Sequence, residues 1–115
     1  MDMTQPFAVK NLQPNPMASR YAERLTGKEV CAEFSDRETS THVEWCGVLR
    51  DGSNYFRQVI TIHTGAKPLP ITNVVLLRFK GLDAHVVGIV KGSPIADSTM
   101  FFGFEHPLSV SQVKD

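Results

Sequence analysis

The stretch VEWCGVLRDGSNYFRQVITI at positions 43–62 constrains the fold more than any other part of the chain. Two β-rich runs flank a DGSN cluster, the pattern of an antiparallel hairpin closed by a tight loop. An even-length loop sets Arg50 opposite Tyr55 and fixes every partner further along. Side chains that face each other across the pair share one side of the sheet. One side then holds Val43 with Ile62, Trp45 with Ile60 and Leu49 with Phe56. The other holds Glu44 with Thr61, Cys46 with Val59, Val48 with Arg57 and Arg50 with Tyr55. A slip of one residue would bring Glu44 against Ile62 and expose the aliphatic set, which a buried face does not tolerate. The even register therefore assigns Trp45 to the core, and Tyr55, between Arg50 and Arg57, becomes the candidate for an exposed contact.

The rest of the chain repeats this texture. Runs at 28–34, 71–80, 84–91, 98–104 and 107–113 join 41–50 and 54–63 as strand candidates, separated by SDRETS, TGAKPLP, GLD, GSPIAD and EHP. Those connections are rich in turn-forming residues. Seven strands at this spacing imply an all-β domain, mainly an antiparallel β-sandwich, with a small barrel as the alternative. Residues 1–15 carry Pro6 and Pro14 and read as an extended arm, pinned by Phe7, Val9 and Leu12 and unable to form a helix or a central strand. The single domain is expected over 16–115. It opens with one short helix at 16–25, where Asn15 can cap, Pro16 suits the first position and Gly27 the end. Phe101, Phe102 and Phe104 are read as core, because consecutive exposed phenylalanines invite aggregation.

At 115 residues there is room for one modest core. Lys plus Arg and Asp plus Glu each number 12, so the chain lacks the basic excess of a general nucleic-acid binder. No apolar run reaches the roughly 18 residues that would span a bilayer, and MDMTQPFAVK lacks the apolar stretch of a secretory signal. Cys31 and Cys46 fit no zinc spacing and read as small core residues, with a bridge between neighbouring strands as the alternative. His42, His63, His85 and His106 are spaced unlike common metal motifs and read as solvated or capping imidazoles. No phosphate loop, G-x-S-x-G elbow or H-E-x-x-H is present, and no cofactor or catalytic set is expected.

The pattern of Trp45, the DG at 51–52, YFR at 55–57, VITI at 59–62, ITNVVL at 71–76 and VVGIVK at 86–91 resembles the small carbohydrate-binding module of family 49 that follows the catalytic domain of some plant cellulases. That resemblance implies a β-sandwich that binds cellulose. FEHPLSVSQV at 104–113 is similar to the closing strand of the tapetum determinant family of secreted plant signalling proteins, which implies a receptor ectodomain as partner and an extracellular location. A rival resemblance, carried by the short helix, GVLRDGSN and LLRFKGLDAHVV at 76–87, is to the Sm-like fold and implies an assembly subunit. The expected function is non-catalytic recognition of a polysaccharide surface. Tyr55 would stack on a sugar ring, Arg57, Arg50 and Asn54 would hydrogen-bond its hydroxyls, and Trp45 would support from beneath. A protein-interaction module is the alternative.

Overall fold

A computed structural model of the chain describes residues 1–66, 68–106 and 108–114, with the backbone alone at position 6. The fold is mostly β, in antiparallel sheets. It divides into two compact units, Met1–Thr72 and Asn73–Asp115.

The first unit is a four-stranded meander in the order β1 (Asp2–Leu12), β2 (Gly27–Asp36), β3 (Thr41–Arg50) and β4 (Phe56–His63). The β3–β4 register sets Val43 against Ile62, Trp45 against Ile60, Cys46 against Val59 and Leu49 against Phe56, as the even loop requires. Arg50, Asp51 and Gly52 turn the chain, with Ser53 N–H bonded to the Arg50 carbonyl at 3.1 Å and Gly52 at φ 71°, a conformation natural to glycine. The hairpin tip is tied to the start of β2, since Asp51 N–H donates to the Thr26 carbonyl at 2.8 Å and the Thr26 hydroxyl donates to the Asp51 carboxylate. At the opposite end, the β2–β3 turn is organised by Asp36, whose carboxylate accepts from the Thr39 hydroxyl at 2.6 Å and from Glu38 N–H at 3.3 Å. The Thr39 hydroxyl leads in holding the Asp36 carboxyl below its ordinary value.

The N-terminal segment is more ordered than an arm: Asp2–Leu12 pairs along β2 as an edge strand. Its register shifts between Met3 and Gln5 and again between Gln5 and Ala8, which is how an edge accommodates a residue without an N–H at position 6.

The helix expected over 16–25 does not form; a single 3-10 turn, Tyr21–Arg24, stands there instead. Asn15 Oδ1 accepts Met17 N–H at 3.1 Å in a local turn, but it caps no helix: the residue before the 3-10 turn is Arg20, extended at φ −83°, ψ 127° and without a side-chain cap. The Ala18 carbonyl, which a helix would offer to Ala22 N–H, accepts from Arg24 Nε at 2.9 Å. Two longer ties then fix the segment on the sheet. Arg50 Nη1 donates to the carbonyls of Leu25 at 2.8 Å and Gln13 at 3.2 Å, and Arg57 pairs with Glu23 at 3.1 Å. An isolated ten-residue helix is marginal, so these tertiary contacts prevail.

Cys31 and Cys46, directly opposite each other on β2 and β3, are joined in a disulfide at Cα–Cα 4.1 Å, so the bridged alternative is the one realised.

The second unit holds three short strands in the order β5 (His85–Val86), β6 (Ile95–Ala96) and β7 (Phe101–Phe102). The β6–β7 turn is built by Asp97, whose carboxylate accepts N–H bonds from Thr99 and Met100, both at 2.7 Å, and its pKa is lowered by them. The strand expected at 71–80 is absent: its apolar composition suits a sheet, but no described segment pairs with it, and a strand exists only by its ladder. Of the strand expected at 107–113, position 107 lies outside the described residues and 108–113 form none. Phe101 and Phe104 are exposed rather than core, Phe104 stacking on the His106 ring at 6.0 Å, while Phe102, half-buried, meets the ring of Phe79 at 5.0 Å.

Candidate functional site

The alternation of side chains along β1–β4 gives the four-stranded sheet two unlike faces. The first presents Val30, Ala32 and Phe34 from β2, Val43, Trp45 and Leu49 from β3, and Phe56, Ile60 and Ile62 from β4. Across its middle runs a row of three rings. Trp45 lies 6.4 Å from Phe7 in an edge-to-face arrangement and 6.5 Å from Phe56. Gly47 makes room for them, since a Cβ there would run into the Phe56 ring. The indole N–H of Trp45 is satisfied by Gln58 Oε1 at 2.7 Å, so what the row offers is apolar contact rather than a free donor. Trp45 is half-buried, whereas Phe7 is 57% and Phe56 56% exposed, and Val9 and Leu49 beside them are equally open.

The opposite face is mixed. At one end the segment bearing the 3-10 turn folds over it and leaves a shallow cleft of about 180 Å³ with an aliphatic floor of Val48, Val59 and Leu12. Tyr55, Arg57 and Arg50, three of the residues expected to bind ligand, line this cleft together with Glu23 and Glu29. Tyr55 is 49% exposed. The arginines are already engaged, Arg57 by Glu23 and Arg50 by two carbonyls, so their role in holding the N-terminal segment competes with any role toward a ligand. Asn54 is exposed in the loop and does not line the cleft, and Trp45 lies on the other face, so the five residues do not form one site.

Glu23 and Phe7 were not legible as partners in the sequence. Phe56 carried a signal in the register that placed it on the face of Trp45; Phe7 carried none, because its strand was read as an arm. Register also brings His42 opposite His63, with ring centroids 6.3 Å apart and Glu33 3.8 Å from His42. Among the described residues the ligating atoms of Glu29, Cys31 and Cys46 lie within 4.8 Å of one another, but the sulfurs are bonded to each other and offer no thiolate to a metal.

Comparison with known proteins yields no match to a family model, to a curated protein or to a solved structure.

Proposed function

We propose that this chain is a non-catalytic binding module whose docking surface is the aromatic face of the β1–β4 sheet and whose partner is a protein. The observation that carries the reading is the Phe7–Trp45–Phe56 row, with its outer rings open amid exposed Val9 and Leu49. A contiguous apolar patch of this kind marks an interaction surface, and a centre rich in aromatic side chains is what protein interfaces favour. The rings and aliphatic side chains around Trp45 favour a protein over a sugar, whose hydroxyls need polar neighbours, and the oxygen of the one polar neighbour, Gln58, is already engaged by the indole N–H. An apolar sheet face of this kind is stable when a second sheet packs on it about 10 Å away, so a sandwich would be completed on this face by the partner. The Cys31–Cys46 bridge suits an oxidising, extracellular setting.

The test is an environment-sensitive naphthalene sulfonate dye titrated against the purified chain. Strong fluorescence enhancement, reduced severalfold by Phe56→Ser and left intact by Tyr55→Ala, supports the aromatic face as the docking surface. Equal enhancement in both variants removes it.

A second reading, polysaccharide recognition, is favoured by the cleft that gathers Tyr55, Arg50 and Arg57. Its test is co-sedimentation with insoluble cellulose. Depletion abolished by Tyr55→Ala supports it, and no depletion from the wild type removes it.

A further inference from the structure

We propose that the partner on the aromatic face is a second copy of this chain, the two sheets packing face to face with Trp45 of each copy at the centre. The inference rests on reading that face as a docking surface.

The size of the face is the first argument. Four strands about 4.8 Å apart, paired over about eight residues of 3.3 Å each, present roughly 500 Å² of flat area, so two copies bury on the order of 1,000 Å² before corrugation is counted. That meets the roughly 1,000 Å² expected of a specific interface.

Charge gives the second. The aromatic face is apolar apart from the neutral Gln58, whose oxygen the Trp45 indole engages, and Asn11 beside Lys28, and along β2 it carries its charges at the ends, Lys28 at one and Asp36 at the other. A two-fold axis lying between the sheets and crossing the strands at right angles sets β2 against the partner's β2 in reversed direction. The lysine end of each copy then lies over the aspartate end of the other. A two-fold axis along the strands would instead bring like charges together and is disfavoured. The Asp36 carboxylate is held below its ordinary pKa by the Thr39 hydroxyl, so it carries its charge at neutral pH.

Register supplies the third. β3 runs from Thr41 to Arg50, and Trp45 stands at its midpoint. The axis that matches the charges therefore also superposes the middles of the two β3 strands and brings the tryptophans together. A large aromatic at the centre of an apolar patch, here flanked by Phe7 and Phe56, is the arrangement that carries most of the energy in an interface.

The experiment is sedimentation velocity of the full chain between 1 and 100 μM, roughly the range over which a modest interface assembles, with iodide quenching of Trp45 measured on the same samples. Twice the 12.8 kDa chain mass is expected at the upper end, with Trp45 protected. Phe56→Glu is expected to weaken assembly at least tenfold and open Trp45 to iodide, and Lys28→Glu to weaken it severalfold. Leu49→Lys serves as a second probe of the face should Phe56→Glu lose its far-ultraviolet circular dichroism. A wild-type monomer at every concentration overturns the second copy, as does a dimer that Phe56→Glu and Leu49→Lys leave intact. In the monomeric case the dye titration separates the two readings. Dye binding that Phe56→Ser removes keeps the face as a docking surface for a different protein, and the absence of dye binding removes both.

Discussion

Trp45 sits between two roles that the sequence presents as exclusive. Its position opposite Ile60 puts it on the apolar side, yet its ring is only half-buried, because Phe7 and Phe56 flank it without covering it. Replacing it with alanine removes both ring contacts and leaves Gln58 Oε1 without its donor. A full core deletion of a large aromatic costs about 3–5 kcal/mol, so a half-buried one is expected to cost about 2 kcal/mol in urea unfolding. Tyr55→Ala, on the exposed side of the cleft, is expected to stay within about 0.5 kcal/mol of wild type. A result in which Tyr55 matters more than Trp45 would reverse the two faces. Parity made the register legible: DGSN demands an even loop, and one misplaced residue would turn Glu44 inward. The exposure of the Trp45 face was not legible, since alternation says which side chains share a side but not what lies on top of them.

At the scale of elements, the chain shows where local signals yield to distant ones. Asn15, Pro16 and Gly27 have the right chemistry for the ends of a helix, and Asn15 does form a local turn with Met17 N–H, but Arg24 takes the Ala18 carbonyl that a helix would use, and Arg50 and Arg57 tie the segment to the sheet through the Leu25 carbonyl and Glu23. Such ties join residues up to 37 positions apart, and no window of sequence contains them. β1 was illegible for the converse reason: its proline rules out a central strand, while an edge strand with two register shifts admits one. The bridge between β2 and β3 closes a separation of 15 residues, for which the chain-entropy model gives about 3 kcal/mol. Because the strands are already paired, Cys31→Ser with Cys46→Ser is expected to lower stability by about 2 kcal/mol, read from the urea midpoint in non-reducing buffer. No change would mean that the ladder alone fixes the β2–β3 register.

The turns make a separate prediction about acid. Asp36 and Asp97 both have pKa values lowered in the folded chain, the first chiefly by the Thr39 hydroxyl and the second chiefly by Thr99 N–H. A depressed carboxyl contributes stability that is present above its unfolded value and is lost as pH falls through the folded value. Stability is therefore expected to decline as pH drops below 3.8, the ordinary value of both groups. Asp97→Ala is expected to flatten that decline in thermal unfolding measured across acid pH. An unchanged profile in the variant would show that the turn hydrogen bonds do not persist in solution.

On the scale of the whole molecule, the buried apolar residues decide what the chain can be alone. Among the described residues these are Ala18, Ala22, Ala32 and Cys46, and no large side chain is fully buried. Burial yields about 25 cal/mol per Å² of apolar surface, so three alanines and a half-cystine contribute little against the conformational entropy of ordering the sheet. Phe7, Val9, Leu49 and Phe56 stay exposed, and the proposed association would bury them. Folding that is completed by association depends on protein concentration, because a partner that binds only the folded form stabilises it by mass action. The urea midpoint is accordingly expected to rise with concentration between 1 and 100 μM, the range of the sedimentation measurement, and to lose that dependence in Phe56→Glu. A midpoint flat across the range in the wild type would mean that the sheet, its disulfide and the arginine ties of the N-terminal segment hold the fold unaided. The aromatic row would then be surplus to stability, leaving recognition of another molecule as the reason for its exposure.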